Sequence, residues 1–195
     1  MSSKPCIVGI GGTTRAGSSS EKALKVSLRA AEQEGAETIV IAGPALDIPM
    51  YAPERKERCA EAAELIRLFR RCDGVIIASP AYHGSVSGLI KNALDYSEDC
   101  SGDARPYFDG CAVGLIACAA GWQGAGQTLA ALRAIAHSLR GWPTPLGAML
   151  NTSNRLFDEN GQCIDLSVKF QLETVGRQVV QFARMHGKFR SEESS

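Results

Sequence analysis

Glycine and hydroxyl side chains are concentrated near the start of the chain in the segment Gly9–Glu21, which reads GIGGTTRAGSSSE. This segment directly follows the apolar run Cys6–Val8. Backbone N–H groups at a glycine-rich turn before a helix bind phosphate, and hydroxyl and guanidinium groups strengthen that binding. The segment therefore predicts a phosphate site in which Arg15 carries the fixed positive charge.

Two common nucleotide-binding patterns fail to fit this segment. The dinucleotide pattern GxGxxG, started at Gly9, meets Thr14 where its third glycine belongs. The pattern GxxxxGK[ST], started at Gly12, has Ser18 in place of the lysine. A monophosphate therefore fits better than a hydrolysed nucleoside triphosphate. A reading without any ligand also stays open, because Ser18–Glu21 has the form of a helix capping box.

A second segment of interest is Ser79–Gly88, which reads SPAYHGSVSG after an apolar run. Tyr82 and His83 offer flat rings, and a glycine lets the backbone approach a ligand edge. We expect Pro80 to end the strand and the loop to line a planar heteroaromatic ligand. The alternative is a turn with a helix cap at Ser85 or Ser87. A third loop, Ala119–Gly126, is rich in glycine and carries Trp122, which could cap a pocket or bind a partner.

Several other chemistries are disfavoured by the sequence. The three histidines and seven cysteines lack the spacing of a zinc site, and there is no GxSxG elbow. The 21 basic and 21 acidic residues cancel, so no overall field favours nucleic acid or an anionic membrane. A pocket without a catalytic constellation points to a cofactor that supplies its own chemistry.

Short apolar runs alternate with segments of helical period, which predicts one α/β domain with a doubly wound parallel sheet of five strands and helices on both faces. In such sheets ligands bind beyond the carboxyl ends of the strands, so the loops after the first, third and fourth predicted strands should form the site. The predicted strands are Ile7–Gly11, Thr38–Ala42, Gly74–Ser79, Ala112–Cys118 and Leu146–Leu150. The predicted helices lie near Ser20–Glu34, Cys59–Cys72, Ser87–Ser97, Gly126–Leu139 and Leu166–Met185.

These segments resemble the NAD(P)H-dependent FMN reductases of the flavodoxin-like fold. That family's phosphate loop reads roughly GSxRxxSxN, and Gly12–Ser20 follows it with Thr13 for serine and Ser20 for asparagine. The ring-binding loop reads roughly SPxYNxSxxGxxKNAxD, and Ser79–Asp95 follows it with His83 for asparagine. The second motif is far more specific than the first, and the order of elements fits over nearly the whole chain.

The resemblance implies a flavin site whose residues belong to all three loops. The FMN phosphate would be bound by Thr13, Arg15, Ser18 and Ser20. The ring would be bound by Pro80, Tyr82, His83, Gly84 and Ser85, with Gly121 and Gln123 near its other edge. No catalytic side chain and no metal is expected, because the flavin carries the redox chemistry.

The implied reaction is hydride transfer from NADPH or NADH to bound FMN, followed by electron transfer to an acceptor. The acceptor would be free FMN, a quinone, an azo dye or a chromate-like oxyanion, and a flavin-dependent monooxygenase is a candidate partner. Family members form dimers or tetramers, which suggests a contact through Leu89–Tyr96. A flavodoxin-like electron carrier without reductase activity is the main alternative, and a phosphate-binding protein without flavin is another.

The ends and the cysteines of the chain give further expectations. Residues 1–186 are expected to form the single FMN-binding domain, and 187–195, which end in SEESS, a disordered tail. The N-terminal MSSKPC has no long apolar run after it, so no targeting segment is expected. Seven cysteines without paired spacing are typical of a reducing compartment, so we expect a cytoplasmic protein.

Overall fold

The computed structural model describes residues 4–193, which form a parallel sheet packed between helices. The strands are β1 (Cys6–Gly11), β2 (Glu37–Ala42), β3 (Gly74–Tyr82), β4 (Ser85–Val86), β5 (Ala112–Ala119), β6 (Trp142–Pro143) and β7 (Ala148–Asn151). The helices are α1 (Ser19–Gln33), α2 (Ala60–Arg71), α3 (Gly88–Asp95), α4 (Trp122–Ser138) and α5 (Leu166–Glu193).

The sheet has the order β2-β1-β3-β5-β6, and β7 continues the edge by pairing with β5 beyond β6. All these pairs are parallel, which is the flavodoxin-like arrangement of a doubly wound sheet. The predicted count of five strands is wrong, because the described residues contain seven. The edge position is divided into β6 and β7, and β4 forms an antiparallel hairpin with β3.

The central strands are apolar throughout because both faces of the sheet are covered by helices. On one face Val8, Val75 and Leu115 pack with residues of α2, α3 and α4. On the other face Ile7 and Ile76 pack with residues of α1 and α5. The alternation of side chains along each strand therefore divides the core into two layers.

Two helices are longer than the sequence predicts. The predicted start of α4 at Gly126 is wrong, because the helix begins at Trp122. Ala125 and Leu129 on its inner face are buried, so packing outweighs the poor helix propensity of the local glycines.

Helix α5 continues to Glu193, so the disordered tail predicted from Gly187 is not what the structure shows for residues 187–193. Four of the seven residues of this last segment are lysine, arginine or glutamate, which have good helix propensity. The remaining two residues of the predicted tail, 194 and 195, lie outside the described residues. Among the helices of residues 4–193, none combines the length and the apolar character needed to span a membrane.

Candidate functional site

The three predicted loops leave adjacent strands at one edge of the sheet. The last residue of β1, Gly11, lies beside Ala78 of β3, and Pro80 of β3 lies beside Cys118 of β5. The backbone N–H of Gly12 donates to the carbonyl oxygen of Ala78 across a distance of 3.4 Å. The loops after β1, β3 and β5 are therefore brought together at the point where the winding of the sheet reverses.

The first loop, residues 12–18, is closed by its own hydrogen bonds. The Thr13 hydroxyl accepts from the Arg15 backbone N–H at 3.2 Å and donates to the Arg15 carbonyl at 3.1 Å. The Arg15 residue is exposed, and within residues 4–193 its guanidinium has no hydrogen-bond or ion-pair partner. A solvent-exposed cation near the start of a helix is suited to binding an anionic ligand.

Ser18 ends this loop and Ser20 lies in the first turn of α1, and both are buried. The Ser18 hydroxyl accepts from the Glu21 backbone N–H at 3.3 Å and so caps α1, as the ligand-free interpretation predicts for this residue. The two serine hydroxyl oxygens are 3.4 Å apart. In the described part of the chain, the backbone N–H groups of Ser19 and Ser20 have no acceptor, so the first turn of α1 retains donors for a phosphate.

Glu21 has a second role that its sequence position does not reveal. In a capping box the acid bonds back to the capping residue, but Glu21 Oε2 accepts from the Gly17 N–H at 2.8 Å. Its Oε1 pairs with Lys25 Nζ at 2.6 Å. Burial alone raises the pKa of this carboxyl, but the hydrogen bonds from Lys25 and Gly17 lower that pKa overall. A carboxylate therefore bonds directly to the backbone of the predicted phosphate loop.

The second predicted loop is a hairpin. Strand β3 continues through Pro80 to Tyr82, so the prediction that Pro80 ends the strand is wrong. Pairing with β1 stops at Ala78, and the missing N–H of Pro80 therefore interrupts no bond to that strand. Ser79, which is buried, accepts the Ser87 N–H at 3.0 Å and holds the returning strand against β3.

The tip of the hairpin consists of His83 and Gly84, with φ angles of 51° and 85°. Two central residues at positive φ define the tight turn that joins antiparallel strands, and asparagine followed by glycine is its preferred sequence. Histidine at position 83 therefore adopts the positive φ that asparagine favours in such a turn. Tyr82, with 53% of its surface exposed, and Ser85 flank this tip and are open to a ligand.

The turn gives a prediction for Gly84. A Cβ added there would lie 3.1 Å from Gln127 Oε1, in a backbone conformation that L residues rarely adopt. We expect Gly84→Ala to lower the free energy of unfolding by about 1–2 kcal/mol, measured by urea denaturation. Gly88→Ala is the matched control, because nothing lies within 4 Å of its added Cβ and its φ is ordinary. Equal stability of the two variants would show that the tip is not held at positive φ.

The third loop is shorter than predicted because α4 begins within it. Gly121 is the capping residue of α4, while Trp122 and Gln123 belong to its exposed first turn. A Cβ built on Gly124 would lie 3.8 Å from the Cβ of Ala81, so this turn packs against the base of the hairpin. The predicted residues Gly121 and Gln123 are thus brought beside the hairpin that carries Tyr82.

Two contributions to this edge are missed by the sequence reasoning. Helix α4 supports the hairpin tip, where Thr128 Oγ1 donates to the Ser85 carbonyl at 3.2 Å. The segment after β7 lies beside the third loop, where the Ser153 hydroxyl donates to the Ala120 carbonyl at 2.8 Å. Neither contact has a local signature, because the contact of Thr128 depends on the packing of α4 against the hairpin and the position of Ser153 depends on the pairing of β7.

The comparisons with known proteins agree with this geometry. A family model described as NADPH-dependent FMN reductase matches residues 5–154. The chain belongs to this family. The match begins just before β1 and ends after β7, so it includes all three loops of the candidate site.

Two curated relatives of this FMN reductase family member match it over part of its length. An NADPH azoreductase of Bacillus sp. (strain OY1-2) is 33% identical over 89 residues, which are 45% of this chain and 47% of that protein. An FMN-dependent NADPH-azoreductase of Staphylococcus aureus (strain USA300) is 35% identical over 127 residues, 65% of this chain and 64% of that protein. The match therefore spans less than two thirds of the length of each of these curated relatives.

Among solved structures, the flavoenzyme NAD(P)H:(acceptor) oxidoreductase of Paracoccus denitrificans superposes with a TM-score of 0.76. The two are 20% identical, and the superposition covers 94% of this chain and 99% of that one. Similarity at this level of identity establishes the flavodoxin-like fold of this family member. The function must be argued from the site itself.

Proposed function

We propose that the protein is an NAD(P)H-dependent flavin oxidoreductase that binds FMN at the edge formed by the loops after β1, β3 and β5. When bound, FMN supplies the redox chemistry by accepting hydride from the nicotinamide and passing electrons to an acceptor. The observation that carries this proposal is the meeting of a glycine- and hydroxyl-rich turn at the start of α1 and an exposed hairpin tip on adjacent strands. Family membership supports the same assignment.

The residues of the first loop would hold the flavin phosphate. Arg15 supplies a fixed charge, and the first turn of α1 supplies N–H donors. The hydroxyls of Thr13, Ser18 and Ser20 surround the same turn, although Ser18 is also the helix cap. In this proposal one serine hydroxyl both stabilises α1 and faces the ligand.

The hairpin and the third loop would orient the ring. Pro80, Tyr82, His83, Gly84 and Ser85 form the hairpin, and Gly121 and Gln123 approach from α4. Backbone N–H groups at the tip are suited to donate to the ring as negative charge develops on it. Tyr82 and Trp122, with 53% and 58% exposure, are available to exclude water above a planar ligand.

For the acceptor we propose a small oxidised organic molecule, with an azo compound as the first to test. Both curated relatives carry the name azoreductase, which supports this choice. Quinones, free FMN for a flavin-dependent monooxygenase and chromate-like oxyanions are the other acceptors to compare. NADPH is the proposed donor because the family and both relatives are named for it.

We further propose a cytoplasmic homodimer or homotetramer with one FMN domain per chain. All seven cysteines are free, which is consistent with a reducing compartment. The proposed contact is the exposed side of α3, which includes Lys91. Asn92 and Tyr96 are unavailable for that contact because they are buried and donate to the carbonyl of Pro49, which lies between β2 and α2.

The proposed function is tested by steady-state NADPH oxidation with and without added FMN, using an azo dye and a quinone as acceptors. We expect oxidation that requires FMN and is faster with NADPH than with NADH. A protein that binds FMN but does not oxidise either nicotinamide would be an electron carrier. A protein that binds phosphate ligands but no flavin would overturn the flavin assignment.

A further inference from the structure

The carboxylate of Glu21 is bonded to the loop that is proposed to receive phosphate. Its Oε2 accepts the Gly17 N–H at 2.8 Å, and only 7% of the residue is exposed. A Cβ added to Gly43 would lie 3.7 Å from the same oxygen, so the neighbouring turn closes over it. The carboxylate is therefore fixed, with little water around it to screen its charge.

Lys25 compensates only one side of this carboxylate. Its ammonium bonds to Oε1 at 2.6 Å, while Oε2 faces the loop. Lys25 is exposed, with 48% of its side chain accessible, so its own charge is screened by solvent. The Oε2 atom therefore presents negative charge to the loop beside the N-terminus of α1.

This arrangement disfavours the binding of an anionic ligand in two ways. The carboxylate bonds to the Gly17 N–H, which removes one donor from the set that a phosphate would use. It also repels a dianion, and repulsion is stronger where burial excludes water. Arg15 and the free N–H groups of α1 act in the opposite direction.

We propose that Glu21 is an internal anion that competes with the flavin phosphate and thereby limits the preference of the site for FMN over riboflavin. The inference rests on the proposed function, because it takes the loop 12–18 as the phosphate site. Glu21 is a specificity-determining residue in this account and takes no part in hydride transfer. A chain with such an anion would exchange its FMN more readily than one without it.

The test is the equilibrium affinity of the purified full chain for FMN and for riboflavin, measured by quenching of flavin fluorescence. Glu21→Gln removes the charge but keeps an oxygen that accepts the Gly17 N–H. We expect it to bind FMN about tenfold more tightly, because one repulsive interaction with the phosphate is lost. Riboflavin lacks the phosphate, so its affinity should stay the same.

Glu32→Gln is the matched control, because this exposed residue on the same helix undergoes the same change of charge. Its FMN affinity should equal that of the wild type. Glu21→Ala is the second variant, since it removes both the charge and the acceptor and should also bind FMN more tightly. The thermal unfolding temperature of each variant is measured as well, to check that the protein remains folded.

The outcomes separate this inference from the proposed function. Unchanged or weaker FMN binding in both Glu21 variants would show that the carboxylate only supports the loop structure through its bond to Gly17, and would overturn the inference. An equal change for FMN and riboflavin would overturn it as well. A wild-type chain that binds neither flavin would overturn the proposed function instead.

Discussion

Gly176→Ala is expected to lower the free energy of unfolding by about 3 kcal/mol or more, the largest stability effect that we predict for a single substitution. A Cβ added to Gly176 of α5 would lie 2.1 Å from the Ser27 carbonyl oxygen of α1. It would also lie 3.1 Å from the Cβ of Ala30. The first of these is a backbone atom, so relief requires the two helices to separate.

The contact matters because it joins the two helices on one face of the sheet. The Ser27 hydroxyl donates to the Leu172 carbonyl at 2.7 Å, and this bond would be strained by separation. Urea denaturation followed by circular dichroism measures the change. Gly187→Ala is the control in the same helix, because nothing lies within 4 Å of its added Cβ. Wild-type stability of Gly176→Ala would contradict the close packing of α1 and α5.

Arg15→Ala is expected to weaken FMN binding by about 30- to 100-fold, which corresponds to the loss of a charge-assisted hydrogen bond to the phosphate. The side chain has no partner within the described residues, so its removal should leave the stability of the protein unchanged. Flavin fluorescence measures the affinity. The FMN affinity of Arg15→Lys should lie between those of the wild type and of Arg15→Ala, because lysine keeps the charge but loses the forked geometry of the guanidinium.

The control for this prediction is Arg29→Ala, which removes the same charge from the exposed side of α1. Its FMN affinity should match the wild type. Riboflavin affinity should be the same for all of these variants, since riboflavin carries no phosphate. If Arg15→Ala retains full FMN affinity, Arg15 is a solvent-exposed loop residue and the phosphate is bound elsewhere.

The sequence predicts the centre of this fold well because its signals there are local. Strands β3 and β5 are apolar runs bounded by polar turns, as expected for strands buried on both faces. The amphipathic pattern of α2 is matched by the structure, in which Leu65 and Phe69 are buried in the core. In these elements the local pattern and the tertiary environment favour the same structure.

The edges of the fold are predicted less well because packing decides them. The two-residue strand β6 depends on pairing of Trp142 with Ala112, and no local pattern identifies a strand that short. Strand β3 contains a proline at position 80, which favours a loop when only the sequence is considered. Likewise, α4 extends into a glycine-rich stretch because Ala125 is buried against the sheet.

The candidate site shows the same division between local and tertiary information. The spacing of glycine, hydroxyl and arginine residues identifies the first loop, and the strand order brings it beside the hairpin. The bond of Glu21 to Gly17 could not be predicted, because a capping box places the acid against the capping residue itself. The role of Glu21 becomes visible only when the loop has a three-dimensional shape.

The most direct test of the account is an anaerobic titration of the FMN-loaded protein with NADPH, followed by visible absorption. We expect the absorption of oxidised flavin to disappear with one NADPH per bound FMN, because hydride transfer delivers two electrons, and to return when an azo dye or quinone is added. Bound flavin that NADPH leaves oxidised, but that dithionite reduces, would contradict the assignment as an NAD(P)H-dependent reductase.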